Sequence, residues 1–525
     1  MSSDPVSSSS VTKAKRSLSN QGTVVALMTL LSRISGFVRD VVLSHFFGAS
    51  GLADAFFVAF RIPNLFRRLF AEGAFAQSFI PVLSEYKGRK SRDDLVLFIQ
   101  VISGDLMLAV FLMCLLGMLI APALVLLFAP GFWGNAEQLS ITSEMLRVCF
   151  PYLGFISLTA FSGALLNSFD KFAIPAFTPV LLNLCLITAA LLVAPQFDRP
   201  VMALAWGVLA AGILQLLFQL PALRNLNLLV SPKLKWDHPG VDRVRKLIVP
   251  AAFAASVGQI NALVDTMLAS MLAVGSISWL YYSDRLMELP LGLVAVTLGT
   301  VLLPNLSRLH AADDVAGFRR ALAWGIRVGI LWALPAAVAL FVLAVPLVTT
   351  IFFHGALTQL DASMAALSLK AYSIGLFGLC MVKIMVPAYF SRMDVRSPFR
   401  IGVISVGVNI IGNLAMFTWM GHVGLALATS LAALTNSYLL GRGLVKLGLY
   451  NIDFSICMYA LKILIAIAGM VSVLYLIMPP VQDWFVMDTI SRVSNLALLC
   501  VAGGLSYLLI LFMMGIRIQD LRYSD

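Results

Sequence analysis

The chain has 525 residues, of which 60% are hydrophobic and 12% are charged, and its formal net charge is +11. Its mean hydropathy of +0.92 excludes a soluble globular protein, because such a chain could not cover so much apolar surface. The apolar segments exceed the roughly ten residues of a membrane barrel strand, and their polarity does not alternate. The composition therefore predicts an all-α polytopic membrane protein.

A window of about twenty residues yields roughly fourteen transmembrane helices. The predicted spans lie near 22–46, 52–84, 94–128, 140–169, 174–195, 200–222, 244–272, 276–309, 318–353, 363–392, 397–419, 423–446, 456–478 and 490–516. With the N-terminus placed in the cytoplasm, the periplasmic loops hold few basic residues beyond Arg199 and Arg492. This asymmetry follows the positive-inside rule and predicts that both termini are cytoplasmic. The dispersed basic residues indicate contact with anionic membrane lipids and not with nucleic acid.

An internal repeat divides most of the chain into two similar parts. Four pairs of similar positions recur at a spacing of 223 to 225 residues: Pro81 with Pro304, Pro175 with Pro398, Asp40 with Asp265, and Phe56–Phe57 with Tyr281–Tyr282. Because each part contains an even number of predicted helices, the copies are parallel repeats with the same orientation. The predicted organisation is a disordered cytoplasmic tail (1–20), an N-lobe of six helices (21–223), a C-lobe of six helices (224–446) and a C-terminal helix pair with a short cytoplasmic tail (447–525).

Charged side chains are set into the first two predicted spans. These residues include Arg33, Arg39, Asp40, Asp54 and Arg67. A charge at the bilayer centre costs at least ~2.5–3.5 kcal/mol, so such residues usually face a bundle interior or a water-filled cavity. For Arg39 and Asp40, well inside the first span, the position favours a cavity that handles an anionic substrate. For Arg67, a helix-end position or an ion pair within the bundle is an equal alternative.

The second repeat carries a comparable group of charges. The segment YYSDRLMELP contains Asp284, Arg285 and Glu288, and Lys383 lies in the middle of a later span. Together with Arg39, Arg285 would present two guanidiniums to a central cavity, and a guanidinium can bind phosphate oxygens in a bidentate manner. The alternative is an Arg–Asp pair that locks the two repeats together.

A second group of residues is rich in oxygen. Asp265 lies in the seventh span, Asn409 and Asn413 share one face of the eleventh, and Thr429 lies in the twelfth. One carboxylate, two amides, a hydroxyl and a backbone carbonyl would suit Na⁺. Hydrogen bonds between helices are the alternative, and spacing alone favours them. The sequence contains no P-loop, HExxH or serine-hydrolase pattern, so we expect neither catalysis nor a cofactor other than such an ion.

Several long motifs carry a family resemblance that covers the chain from about residue 22. SRISGFVRD, ADAFFVAFRIPNLFRRLFAEGAFAQSFIPVLSEY, WLYYSDRLMELPLGLVAVTLGTVLLPNLS and YFSRMDVRSP resemble the MurJ (MviN) family of bacterial lipid II flippases. That family belongs to the multidrug/oligosaccharidyl-lipid/polysaccharide exporter superfamily. The resemblance implies a multi-pass protein of the bacterial inner membrane with two six-helix lobes. It also implies that the C-terminal helix pair lines a groove for a lipid tail.

The resemblance further implies a substrate and site residues. The substrate would be lipid II, undecaprenyl-diphosphate-MurNAc-pentapeptide-GlcNAc, moved from the cytoplasmic to the periplasmic leaflet by alternating access. The family's cavity charges match Arg33, Arg39, Asp40, Asp54, Arg67 and Arg285, with Asp284, Glu288 and Lys383 as further candidates. Its sodium site matches Asp265, Asn409, Asn413, Thr429 and the carbonyl near Leu425.

Several alternatives stay open at this stage. The membrane potential, an ion gradient or both would drive transport, and the cell-wall synthesis machinery is a further candidate partner. A flippase for another polyprenyl-linked glycan and a multidrug/cation antiporter of the same superfamily are the rival transporters, although a cavity for cationic drugs should be acidic or aromatic. A membrane scaffold without transport activity is the rival from another class.

Overall fold

The computed structural model describes residues 8–69, 75–235, 237–451 and 453–517, and within these ranges it contains helices and no β-strand. The helices of the first part of the chain are α1 (Ser8–Phe47), α2 (Gly51–Phe66), α3 (Ala76–Arg89), α4 (Arg92–Leu119), α5 (Ala121–Phe128), α6 (Ala136–Ser168), α7 (Ala173–Thr188) and α8 (Met202–Asn225). They are followed by α9 (Pro239–Ser270), α10 (Ser276–Ala311), α11 (Val315–Val342), α12 (Ala344–Phe352), α13 (Gln359–Phe390), α14 (Arg396–Lys446), α15 (Phe454–Ile477), α16 (Asp483–Val486) and α17 (Thr489–Met513). The predicted all-α class is confirmed.

Many of these helices are long and apolar enough to cross a bilayer, as a polytopic membrane protein requires. Nine such helices occur among the described residues. One of them, α14, is broken at Gly421, where φ is 55° and ψ is −134°. Only glycine adopts such a conformation readily, so α14 contains the two spans predicted at 397–419 and 423–446. The count of fourteen spans stays a prediction.

The chain forms two compact units. The first comprises the residues up to Phe46 together with Gly51–Gln259, and the second comprises Phe47–Ser50 together with the residues from Ile260 onward. The division falls inside α9, whereas the repeat placed the boundary of the lobes at residues 223 and 224. The predicted lobe limits describe the sequence repeat and stay a prediction. The helix α1 begins at Ser8, inside the segment predicted as a disordered tail, and residues 1–7 lie outside the described ranges.

Each unit has a packed interior. In the first unit the ring of Phe79 is fully buried, and its centroid lies 5.2 Å from that of Phe75 and 5.3 Å from that of Phe161. In the second unit, α13 approaches the C-terminal half of α14 so closely that a Cβ on Gly375 would lie 2.5 Å from the Cα of Ser430. Small residues at helix contacts are typical of membrane proteins, where lipid removes the hydrophobic drive for association. The contact between α13 and α14 fixes two helices that carry candidate site residues, Lys383 and Thr429.

Candidate functional site

Two buried charged residues of the predicted site lie side by side on α1. Arg39 is 7% exposed and Asp40 is 1% exposed. The Nε and Nη2 groups of Arg39 donate to Oδ1 of Asp40 at 2.9 and 2.7 Å. The ion pair therefore forms within one helix, between neighbours in sequence. Two hydrogen bonds to one carboxylate oxygen hold the guanidinium in a fixed direction.

A residue of α7 completes this arrangement. Nη1 of Arg39 donates to Oδ1 of Asn183 at 3.0 Å. Nδ2 of Asn183 in turn donates to Oγ of Ser35 at 2.9 Å and to the carbonyl oxygen of Ser32 at 3.1 Å. Sequence reasoning missed Asn183, because spacing within a helix does not show which neighbouring helix it faces. The buried polar cluster of the first unit thus consists of Arg39, Asp40 and Asn183, with both serines behind it.

The other candidates in the first unit are more dispersed. Arg33 is exposed on α1, and Asp54 is buried in the first turn of α2. A carboxylate at that end of a helix is stabilised by the helix dipole. Arg67 is half-buried, and its Nε donates to Oδ1 of Asn64 at 2.8 Å. Whether these three residues contact substrate stays a prediction.

In the second unit, α10 carries a half-exposed cation. Nη1 of Arg285 donates to Oε2 of Glu288 at 2.6 Å, and the guanidinium lies 5.0 Å from the ring centroid of Tyr281. These contacts hold the guanidinium against one turn of α10 while a third of the side chain stays exposed. Asp284 is half-buried on the same helix, and Lys383 is exposed in the middle of α13. The structure therefore joins Arg285 with Glu288 and leaves Lys383 accessible.

The oxygen-rich residues of the second unit form one cluster. Oδ1 of Asp265 accepts from Nδ2 of Asn413 at 2.7 Å, and Oδ2 accepts from Oγ1 of Thr429 at 3.3 Å. Nδ2 of Asn413 also lies 3.1 Å from Oδ1 of Asn409, whose own Nδ2 donates to Thr429. The carbonyl oxygen of Leu425 accepts from Thr429 at 3.1 Å. All five predicted residues are thus brought together.

The chemistry of this cluster fits a small hard cation. Asn409 and Asn413 are fully buried, and Oδ1 of Asn413 has no hydrogen-bond donor among the described residues. A buried amide oxygen without a donor normally costs about 1–3 kcal/mol. A cation would remove that cost, since one carboxylate and several neutral oxygens form a ligand set used for Na⁺ in transporters. The assignment as a sodium site stays a prediction.

One further intramembrane acid has a partner that the sequence did not reveal. Asp105 of α4 accepts from Nε and Nη2 of Arg245 at 3.1 and 2.5 Å. The pair lies beside an apolar cavity of about 320 Å³ lined by residues of α4 and α9. Both residues belong to the first unit, which includes the N-terminal half of α9.

Comparisons with known proteins place this architecture in a family. A family model described as "Lipid II flippase MurJ" matches residues 43–494. A probable lipid II flippase MurJ of Vibrio cholerae is 43% identical over 98% of this chain and 99% of its own length. A similar protein of Haemophilus influenzae is 42% identical over 93% and 98%. A lipid II flippase MurJ of Burkholderia cenocepacia is 41% identical over 81% and 84%.

Solved structures agree with these sequence relationships. A lipid II flippase MurJ in an inward closed conformation superposes with a TM-score of 0.80 at 26% identity, covering 94% of this chain and 98% of its own. An inward-facing multidrug resistance transporter of the MATE family superposes with a TM-score of 0.64 at 12% identity, covering 81% and 98%. The second likeness shows the shared fold alone. The chain is therefore a polytopic membrane transporter that belongs to the MurJ family of lipid II flippases.

Proposed function

We infer that this protein is a lipid II flippase, which moves the undecaprenyl-diphosphate-linked peptidoglycan precursor from the cytoplasmic to the periplasmic leaflet of the bacterial inner membrane. Membership of the family, with 41–43% identity to named flippases over most of the chain, is the observation that carries this proposal. The buried arginine of α1 agrees with it, because a diphosphate needs cationic partners at membrane depth. Both termini would be cytoplasmic, and the protein would act as a transporter and not as an enzyme.

The proposed substrate contacts follow from the charges of each unit. Arg39 would offer its guanidinium to phosphate oxygens that replace part of its bonding to Asn183. Asp40 would keep the arginine oriented and neutralised when no substrate is bound. Arg285, whose side chain is one-third exposed, would be a second contact for the head group. We place Arg33, Asp54, Arg67, Asp284 and Lys383 in the same proposal as further polar contacts.

We propose that charge movement across the membrane supplies energy for transport. A membrane potential of about 100 mV contributes ~2.3 kcal/mol for each charge that crosses the membrane, enough to bias a conformational equilibrium more than tenfold. Na⁺ bound by Asp265, Asn409, Asn413, Thr429 and the carbonyl of Leu425 would add an ion gradient. Membrane lipids, and the cell-wall synthesis machinery that uses lipid II, are the proposed surroundings of the transporter.

Exposure of lipid II on the outer leaflet tests the function directly. Cells whose only flippase is this protein are treated with an external enzyme that cleaves lipid II, and the cleavage product is measured. Wild-type protein should give product, whereas Arg39→Ala and Arg285→Ala should each lower it at least tenfold at equal expression. Arg199→Ala is the matched control, because Arg199 and its partner Glu144 are both about half exposed. It should leave the product unchanged.

Other results would favour the rival functions. Product that persists after depletion of this protein would contradict the flippase proposal. If, in addition, depletion sensitises cells to cationic drugs, the shared fold would point to a multidrug antiporter. If another polyprenyl-linked glycan accumulates in the inner leaflet, the protein would be a flippase for that glycan. Loss of wall synthesis with unchanged lipid II exposure would indicate a scaffold.

A further inference from the structure

Hydrogen bonds to α1 fix the orientation of the Asn183 side chain. Its Nδ2 donates to both Ser35 and Ser32 of α1, so its Oδ1 points at the guanidinium of Arg39. Asn183 is 5% exposed, so its side chain is shielded from bulk water. Both oxygen partners of Arg39 in this cluster, Oδ1 of Asp40 and Oδ1 of Asn183, lie within 3.0 Å of its nitrogens.

The second repeat contains the same acid and amide without an arginine. Asp265 follows Asp40 by 225 positions, and Asn409 follows Asn183 by 226 positions. The first pair lies on the helix that opens each repeat, and the second pair lies on the fifth predicted span of each. At the same spacing, the position of Arg39 corresponds to Val264. The acid and the amide are thus shared, whereas the arginine is present in one repeat only.

We propose that Asp40 and Asn183 form a cation-binding pair whose cation is built into the chain, namely the guanidinium of Arg39. Asn183 is then a positioning residue for Arg39. The first unit carries its cation on a side chain, whereas the corresponding oxygens of the second unit accept hydrogen bonds from Asn413 and Thr429. This inference does not rest on the proposed transport function.

The physical reason lies in the cost of buried charge. A buried carboxylate is stable only with a cation or several donors close to it. A tethered guanidinium supplies that charge permanently, so the first unit's site cannot exchange its cation with solution. In the second unit, Asn413 adds a further amide oxygen at the position that corresponds to Ile187. More oxygen ligands are what a site needs when the cation arrives free and must lose its water.

Removal of the tethered cation should expose a site for a free one. In purified Arg39→Ala protein, guanidinium at about 10 mM should raise the Tm by roughly 2–5 °C, since a ligand that binds only the folded state stabilises it. Wild-type and Arg199→Ala protein, with the site filled, should show no increase. The double variant Arg39→Ala/Asn183→Leu should lose the response. Tetramethylammonium, which cannot donate hydrogen bonds, is the matched salt control.

Three results would overturn the proposal. They are the absence of a guanidinium response, an equal response in Arg199→Ala protein, and a response that survives Asn183→Leu. Arg39→Met, which keeps much of the volume of the aliphatic stem, replaces Arg39→Ala if that variant does not fold.

If neither variant folds, Asn183→Ala is compared with Asn64→Ala, since Asn64 accepts a similar bond from the half-buried Arg67. Asn183→Ala should then lower the Tm by several degrees more than Asn64→Ala. An equal loss would count against a positioning role.

Discussion

The ion pair of α1 allows a quantitative prediction about stability. Substitution Asp40→Ala removes the oxygen that accepts two hydrogen bonds from Arg39, whose side chain is only 8% exposed. Breaking a buried ion pair by removing one partner typically costs about 3–5 kcal/mol, because the remaining charge is poorly compensated. For a cooperative unit of this size, each kcal/mol lowers the Tm by roughly 2–4 °C. The expected decrease is therefore roughly 6–20 °C.

The double variant Arg39→Ala/Asp40→Ala separates ion pairing from simple packing. It removes both charges, so it should be more stable than Asp40→Ala alone by at least about 1–2 kcal/mol, despite the larger truncation. The assay is thermal unfolding of the purified protein in detergent, followed by intrinsic fluorescence. Glu144→Ala is the control, because its exposed pair with Arg199 should contribute no more than about 1 kcal/mol.

Two results would refute this reasoning about the buried pair. In the first, Asp40→Ala is no less stable than Glu144→Ala, which would mean that water or another group compensates Arg39 fully. In the second, the double variant loses as much stability as the two single variants lose together. That result would mean that packing, and not charge, determines the stability of this part of α1.

Three further predictions concern other parts of the molecule. Na⁺ should raise the Tm of the wild-type protein relative to K⁺ at equal ionic strength. Asp265→Asn or Asn413→Leu should abolish this difference in Tm. Equal effects of both salts on the wild-type protein would argue against a sodium site. Gly375→Ala should lower the free energy of unfolding by about 1–3 kcal/mol, because the added Cβ overpacks against α14. Gly402→Ala should leave the stability unchanged or slightly higher, because a Cβ there meets no atom within 4 Å. Burial lowers the pKa of His238, so the unfolded chain binds a proton at this residue more readily than the folded chain does. The stability of the first unit should therefore decrease as the pH falls through about 6.5. His238→Gln should remove this pH dependence of the Tm.

The sequence predicted the fold class and much of the second unit's cluster. Long apolar segments leave few alternatives to a helical membrane protein, because lipid offers no partners for an open backbone. The separation of Asn409 from Asn413 by one helical turn placed both amides on one face. In the structure, four hydrogen bonds connect these two amides, Asp265 and Thr429 into one cluster. The role of this cluster in ion binding is still a prediction.

Partners across helices were harder to predict. Asp105 had no evident partner in the sequence, because Arg245 follows 140 positions later and lies on a helix that the repeat assigned to the other lobe. Asn183 was missed for the same reason, although its spacing from Asn409 nearly equals that of Asp40 from Asp265. A search for recurring polar residues at the repeat spacing would have found Asn183. No comparable signal exists for Arg245.

Three of the site acids differ in the groups that donate hydrogen bonds to them. Asp40 and Glu288 each accept from a guanidinium, so each pair is neutral as a unit and has little affinity for a free cation. Asp265 accepts hydrogen bonds from the amide of Asn413 and the hydroxyl of Thr429. A carboxylate with limited access to water is stabilised by a nearby cation or by a proton. That an ion gradient acts at Asp265, and that Arg39 and Arg285 bind the anionic substrate, stays a prediction.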